Sequence, residues 1–284
     1  MAQLGIHVFA AAPEWNLETM QALRPTLERH GVRVIEIPLL DPGAIDVATT
    51  RAFFEESGMT PICSLGLPDT LDAIGDPEPA MAFLDPAFEV CAAIGAPALS
   101  GVTYGTIGRT SGAPVTEDET SGLCRFLERA AALARRHGLR LGIEPCNRYE
   151  THLINTGAQA RRICEAVGAD NLFIHLDTYH MNIEERSFRD GFRDCGAFLG
   201  YVHLSESNRG TPGQGMVDWD AVYRALAEAG FDGITTLESM NHVHPAIASG
   251  LAIWRPVAEN PGDVIEKGLP FLHECARAAG FRYG

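Results

Sequence analysis

Four stretches of the chain end short apolar runs in side chains able to bind a metal ion or move a proton. LGIEPCNRYE, from Leu141 to Glu150, places Glu144 at the end of such a run and Glu150 six residues later. IHLDTYH ends in Asp177 and His180, YVHLSESNR carries His203 and Arg209, and ITTLESM carries Glu238. An apolar run followed by a polar loop reads as a buried parallel strand that delivers a charged group at its C-terminal end. A charge buried there needs a partner. Three carboxylates and one imidazole, from Glu144, Asp177, Glu238 and His203, suit a hard or borderline divalent ion. Mn2+, Mg2+ or Co2+ would fit, and the absence of paired thiolates disfavours a structural zinc. A lone strand-end carboxylate is more often a cap or an ion-pair partner, but four such residues in consecutive units argue for one shared ion.

These residues must be positioned by a repeating framework. Short runs rich in Val, Ile and Leu alternate with longer amphipathic segments, the pattern of β-α units around a parallel sheet. The predicted strands are Gly5 to Phe9, Val34 to Ile37, Thr60 to Ser64, Ala98 to Val102, Leu141 to Glu144, Leu172 to Asp177, Leu199 to Leu204 and Gly233 to Glu238. Helices are predicted between them, with only a short one over Glu184 to Cys195 and a last one over Val264 to Ala279. Gly31, Gly138, Gly230 and Gly280 stand where helices would end in a left-handed residue. Eight units without a composition break predict a single-domain α/β protein over residues 1–284, a (β/α)8 TIM barrel. In that fold the strand ends converge on one mouth, so distant carboxylates become neighbours. The rival, an open doubly wound sheet, would carry a Gly-rich first turn, whereas this chain has AAAPEW there.

Composition narrows the function classes. A formal charge of -15 and no basic run argue against nucleic acid and against anionic membrane surfaces. No apolar stretch approaches a bilayer span, and the N-terminus, lacking a basic leading region, reads as a first strand. Seven cysteines without a C-x-x-C pair fit a reducing compartment, so cytoplasm is the expectation.

The segments EPCNRYETHLINT, HLDTYHMNIEE, VHLSESNRGTPGQGMVDWDAV and TLESM, with VIEIPLLDP at the second strand, resemble the ketose 3-epimerase family of the xylose-isomerase-like barrels. The resemblance spans nearly the whole chain. It implies a free ketose as substrate, Glu144, Asp177, His203 and Glu238 as metal ligands, and Glu144 and Glu238 as the acid/base pair. It also implies that Glu150, His180 and Arg209 bind the O1 to O3 end of the sugar, and that the protein is a homodimer or homotetramer. The chemistry agrees with these types. Inverting C3 of a ketose removes a proton beside the C2 carbonyl and returns one to the opposite face, for which a carboxylate on each face suffices. A divalent ion would polarise the carbonyl, and no organic cofactor is needed. Other reactions of the same superfamily stay open: aldose-ketose or hydroxypyruvate isomerisation and inosose dehydration. So does a non-catalytic sugar-binding barrel.

Other residues carry weaker signals. Glu36, ending the second strand, orients a ligand or hydroxyl or else forms a strand-end ion pair, and His7 reads as a satisfied core histidine. Cys63, Trp15 and Tyr104 are candidates to line the far end of a sugar. His242 and His244 read as exposed loop histidines, Arg109 as a solvated loop charge, and GTPGQG as a tight loop that positions Arg209.

Overall fold

A computed structural model describes the backbone of residues 1–284 and every side chain but that of residue 246. Eight parallel strands close in chain order: β1 (Gln3–His7), β2 (Val32–Pro38), β3 (Thr60–Ser64), β4 (Ala98–Ser100), β5 (Arg140–Ile143), β6 (Leu172–Asp177), β7 (Leu199–Ser205) and β8 (Ile234–Glu238). Strand β1 pairs with both β2 and β8, which closes the barrel. The outer layer holds α1 (Leu17–Arg29), α2 (Val47–Ser57), α3 (Pro77–Ile94), α4 (Glu117–Arg136), α5 (Gly157–Val167), α6 (Thr178–Glu184), α7 (Phe188–Cys195) and α8 (Trp219–Glu228). After β8 come the short α9 (Pro245–Ala248) and α10 (Asp263–Glu266), then α11 (Gly268–Ala278). No helix among the described residues is long and apolar enough to cross a membrane.

Helix α4 illustrates how the sequence makes this layer. Thr116 and Glu119 form a reciprocal capping box at its start, worth about 1 kcal/mol. Leu123, Phe126, Leu127, Ala130, Ala131 and Ala134 recur at helical spacing, and all are buried against the barrel. Each larger side chain buried in this way contributes about 1.5–3 kcal/mol. The four glycines expected to end helices all adopt left-handed backbone, with φ between 63° at Gly230 and 74° at Gly138.

The barrel interior changes character with height. Val34, Ile62, Ala98, Phe173, Tyr201 and Ile234 form an apolar plug in its lower half. One inward position further along several strands, the side chains turn polar: Glu36 on β2, Ser100 on β4, His175 on β6 and His203 on β7, all buried. Gly142 faces the same space, where an added Cβ would collide with Ser100 and with the Phe173 ring. The bare glycine is what leaves room for those two side chains.

Element boundaries differ from expectation where one residue's backbone demands it. Strand β4 stops at Ser100, because Gly101 turns the chain at φ +100 with a Cβ position against the Leu65 carbonyl. Strand β1 ends at His7, whose Nδ1 accepts the Phe9 N–H at 3.0 Å and starts a short 3-10 turn over Val8–Ala10. The short helix predicted over Glu184 to Cys195 is α7, which starts later, at Phe188, because Ser187 caps it, and a separate α6 capped by Asp177 precedes it. The final helix is broken at Lys267, consistent with Pro270, which lacks an N–H for the residue 266 carbonyl and clashes with it.

Candidate active site at the C-terminal mouth of the barrel

Strands β5 to β8 bring Glu144, Asp177, His203 and Glu238 to one mouth, all nearly fully buried. Asp177 and His203 lie in register across β6 and β7. His203 Nδ1 stands 3.4 Å from Glu238 Oε1 and 4.0 Å from Glu144 Oε1, so the imidazole sits between the two glutamates. Asp177, His203 and Glu238 form one cluster of closely spaced ligand atoms, and Glu144 joins His203 in a second one with His175. The mouth thus has two overlapping groups that share His203. A further cluster, Glu144, Cys146 and His180, includes a thiol that burial pushes well above the usual cysteine range, so Cys146 stays protonated.

The residues expected to grip a sugar converge on the same space. Asp177 is the last residue of β6 and the cap of α6, its Oδ1 accepting the Tyr179 N–H at 2.8 Å. With no loop between strand and helix, His180 follows one turn later, its Nε2 at 3.7 Å from Glu144, 3.8 Å from Asp177 and 3.9 Å from Glu150. Arg209 reaches Asp177 at 3.2 Å and Glu238 at 3.6 Å, and its guanidinium lies over the Tyr179 ring at 4.3 Å. That placement needs an unusual backbone: Arg209 has φ 58, and its carbonyl accepts from the Ser239 hydroxyl and the Met240 N–H.

The GTPGQG loop is anchored by a residue that its sequence pattern leaves anonymous, Glu206, whose backbone carbonyl also accepts the Arg209 N–H at 2.8 Å. Glu206 is fully buried and accepts from the Ser207 and Val217 N–H groups through Oε1, and from the Gly213 N–H and Trp219 Nε1 through Oε2. Glu206→Ala leaves these donors unpaired and is expected to cost about 3 kcal/mol or more, read as a lower urea midpoint, with Glu206→Gln losing less.

Electrostatics separate the acidic groups. Burial, reinforced by Asp177 and Glu238, pushes Glu144 well above the usual carboxylate range against the pull of His203. Burial and Glu238 raise Asp177 to about 7 despite Arg209. At Glu238 burial acts upward too, but His203 and Arg209 outweigh it and hold the carboxyl below its ordinary value. Burial would lower His203, yet Glu36 and Glu238 beside it raise it to about 10. Burial and Arg209 push His180 well below the usual imidazole range. Five buried carboxyl groups, of Glu36, Glu144, Glu150, Asp177 and Glu238, share the mouth with the Arg209 guanidinium and the raised His203. Such an excess of acidic groups is suited to a divalent cation, which would displace the protons that Glu144 and Asp177 otherwise hold.

The donor set fits one. His203 Nδ1 and Glu238 Oε2 are buried without hydrogen-bond partners, while His203 Nε2 is engaged with Glu36 Oε2 at 2.6 Å. An imidazole tied at one nitrogen by a carboxylate and open at the other is the arrangement that orients a metal-ligating histidine. Glu36 also accepts from the Tyr201 hydroxyl at 2.5 Å and lies 3.7 Å from His7. It is thus placed to orient His203, and His7 beside it is a satisfied core histidine, buried with its Nδ1 accepting the Phe9 N–H. Glu36 is visible as a carboxylate ending an apolar run, whereas His175 and Tyr201 sit inside apolar stretches and Asn147 in a polar loop, where nothing in the sequence marks them out.

The weaker candidates differ in their surroundings. Cys63 on β3 lies beside Cys91 of α3, and the half-buried Trp15 packs on Phe53 and Phe54 with its Nε1 donating to Thr50. Tyr104 is fully buried and donates to the Glu144 carbonyl at 2.8 Å, fixing the strand end from below. Arg109 is an exposed loop charge, as expected, and it also donates to the Leu71 and Asp69 carbonyls, which ties two loops together. His242 and His244 are half-buried, not exposed, and belong to none of the metal-type clusters among the described residues.

Comparison with known proteins places this geometry. The family described as xylose isomerase-like TIM barrel matches residues 2–275. The chain is 33% identical over 279 residues to the L-ribulose 3-epimerase of Methylomonas sp. (strain DH-1), covering 96% of this chain and 97% of the relative. It is 35% identical over 260 residues to the ketose 3-epimerase of Arthrobacter globiformis, covering 89% of each. The solved structure of D-allulose 3-epimerase from Methylomonas sp. in complex with D-allulose superposes with a TM-score of 0.89 at 33% identity over 96% of each chain. With a barrel, a polar mouth and full-length relatives in agreement, the chain belongs to the xylose isomerase-like TIM barrel family and, within it, to the ketose 3-epimerases, enzymes of the isomerase class.

Proposed function

We propose that this protein inverts C3 of a free ketose, with Glu144 and Glu238 alternating as base and acid on opposite faces of the carbon. The observation that carries the reading is the placement of these two glutamates on β5 and β8, both within about one side chain's reach of His203. Glu144, Asp177, His203 and Glu238 would hold a divalent ion, Mn2+ first, with Co2+ or Mg2+ as alternatives. When bound, the ion supplies a Lewis acid that polarises the C2 carbonyl and so acidifies the C3 proton.

The rest is done by the chain. Glu150, His180 and Arg209 bind and orient the sugar at its O1 to O3 end, which presents C3 to the two carboxylates. One glutamate takes the C3 proton, leaving an enediolate. The other delivers a proton to the opposite face. Near-complete burial of the mouth keeps bulk water from reprotonating the intermediate at random.

The test is incubation with D-fructose, D-tagatose and L-ribulose in the presence of Mn2+, followed by product analysis in D2O. C3 epimers carrying deuterium at C3 are expected. A 1,2-isomerase also passes through an enediolate, formed between C1 and C2 instead of C2 and C3, so aldose products without any C3 epimer would overturn this reading.

A further inference from the structure

Asn147 lies three residues past Glu144 in the loop after β5 and is buried to 1% exposure. The Tyr149 backbone N–H donates to its Oδ1 at 2.9 Å. A backbone N–H can only donate, so the amide oxygen must face Tyr149 and the amide nitrogen must face the mouth. That nitrogen, Nδ2, is 2.9 Å from Glu150 Oε1 and 2.9 Å from His180 Nδ1. The Asn147 backbone N–H reaches the same His180 Nδ1 at 3.1 Å.

Two donors pointing at Nδ1 require a lone pair there, which leaves the ring proton on Nε2. His180 Nε2 then faces Arg209 Nη2 at 3.3 Å, a donor opposite a donor, and this contact is not a hydrogen bond. The nearest carboxylate oxygens stand at 3.7 to 3.9 Å, beyond hydrogen-bond reach. Glu150 is in the complementary condition: Oε1 is taken by Asn147, while Oε2 is buried without a partner. One side chain thus aims an unpaired donor and an unpaired acceptor, 3.9 Å apart, into one space. Buried groups left in this state are costly unless a ligand completes them.

We propose that Asn147 is a positioning residue that holds His180 as the Nε2–H tautomer and turns Glu150, so that the two offer one donor and one acceptor to a single hydroxyl of the sugar. A hydroxyl accepts from the imidazole and donates to the carboxylate at once, whereas a carbonyl or a methyl group cannot do both. The identification of the ligand as a sugar rests on the function proposed above, but the tautomer and its cause do not.

The tautomer is read from nitrogen-proton spectra of protein labelled with 15N-histidine, with Mg2+ as a diamagnetic ion and the His180 signals assigned by their loss in His180→Gln. The parent is expected to carry its proton on Nε2. Asn147→Asp puts a carboxylate oxygen where Nδ2 stood, which draws a proton onto Nδ1 and repels Glu150. Its His180 signals are expected to move to the Nδ1-protonated form, and KM for the ketose to rise about 10- to 100-fold with a smaller fall in kcat. Asn147→Ala frees Glu150 but keeps the backbone donor, so it should retain the parent tautomer with a smaller rise in KM. A parent protonated on Nδ1 would overturn the proposal. So would an Asn147→Asp protein with unchanged ring signals and KM and only a lower melting temperature, the behaviour of a loop staple. The expected tautomers in a protein that turns over no ketose would uphold the positioning role and defeat the sugar reading instead.

Discussion

Glu144→Gln and Glu238→Gln are each expected to lower the rate of C3 epimerisation about 10²- to 10⁴-fold, the range typical of a lost general acid or base. Glutamine keeps the volume and one oxygen donor of each side chain, so the fold and much of the ion site should survive. What it cannot do is accept a proton from carbon. The diagnostic is an asymmetry. In either variant, the epimer whose C3–H faces the remaining glutamate should still exchange that hydrogen with D2O, without inverting, while the other epimer neither exchanges nor inverts. Mass spectrometry of each recovered ketose measures this directly. Full inversion in either variant would remove that glutamate from the acid/base pair.

The second large effect is expected at Glu36, which contacts no sugar in this reading. It is completely buried and receives both His203 Nε2 and the Tyr201 hydroxyl. Burial acts to raise its pKa, but His203 and His7 beside it hold the carboxyl well below the usual range. Glu36→Gln keeps an acceptor for the imidazole but removes the charge that makes His203 a strong donor to a cation. Mn2+ affinity, measured by titration calorimetry, is expected to fall about 10- to 100-fold. Glu36→Ala goes further by leaving His203 without its buried partner, at a cost of about 3–5 kcal/mol in urea unfolding. Unchanged Mn2+ affinity in Glu36→Gln would mean that His203 needs no orientation from the second strand.

Much of this protein is legible along the chain. The alternation of apolar runs and amphipathic segments sets the β-α repeat, and terminal glycines such as Gly31 and Gly138 punctuate its helices because a left-handed residue costs an L side chain strain. Strand periodicity also says which side chains share a face, so Glu144, Asp177, His203 and Glu238 stand out as inward-facing residues at the ends of four successive strands. Their types alone point to a hard or borderline cation.

Pairings between distant units are another matter. Glu36 belongs to the second unit and His203 to the seventh, 167 residues apart, and they meet because β1 closes on β8 and bends the whole sheet into a ring. Sequence shows Glu36 at a strand end but not which neighbour it faces across the interior. Asn147 is harder still. Its loop is plainly polar in sequence, yet its task depends on a histidine 33 residues later whose helix starts without any intervening loop.

What the sequence by itself determined was therefore the repeat, the mouth and the kinds of group delivered there. Tertiary structure alone decided which nitrogen of His180 bears the proton, which oxygen of Glu150 stays open and which carboxylate holds His203. The physical reason is one of scale. Hydrophobic periodicity specifies the direction of a side chain, whereas a hydrogen bond depends on a few tenths of an ångström, set by how the closed barrel packs as a whole.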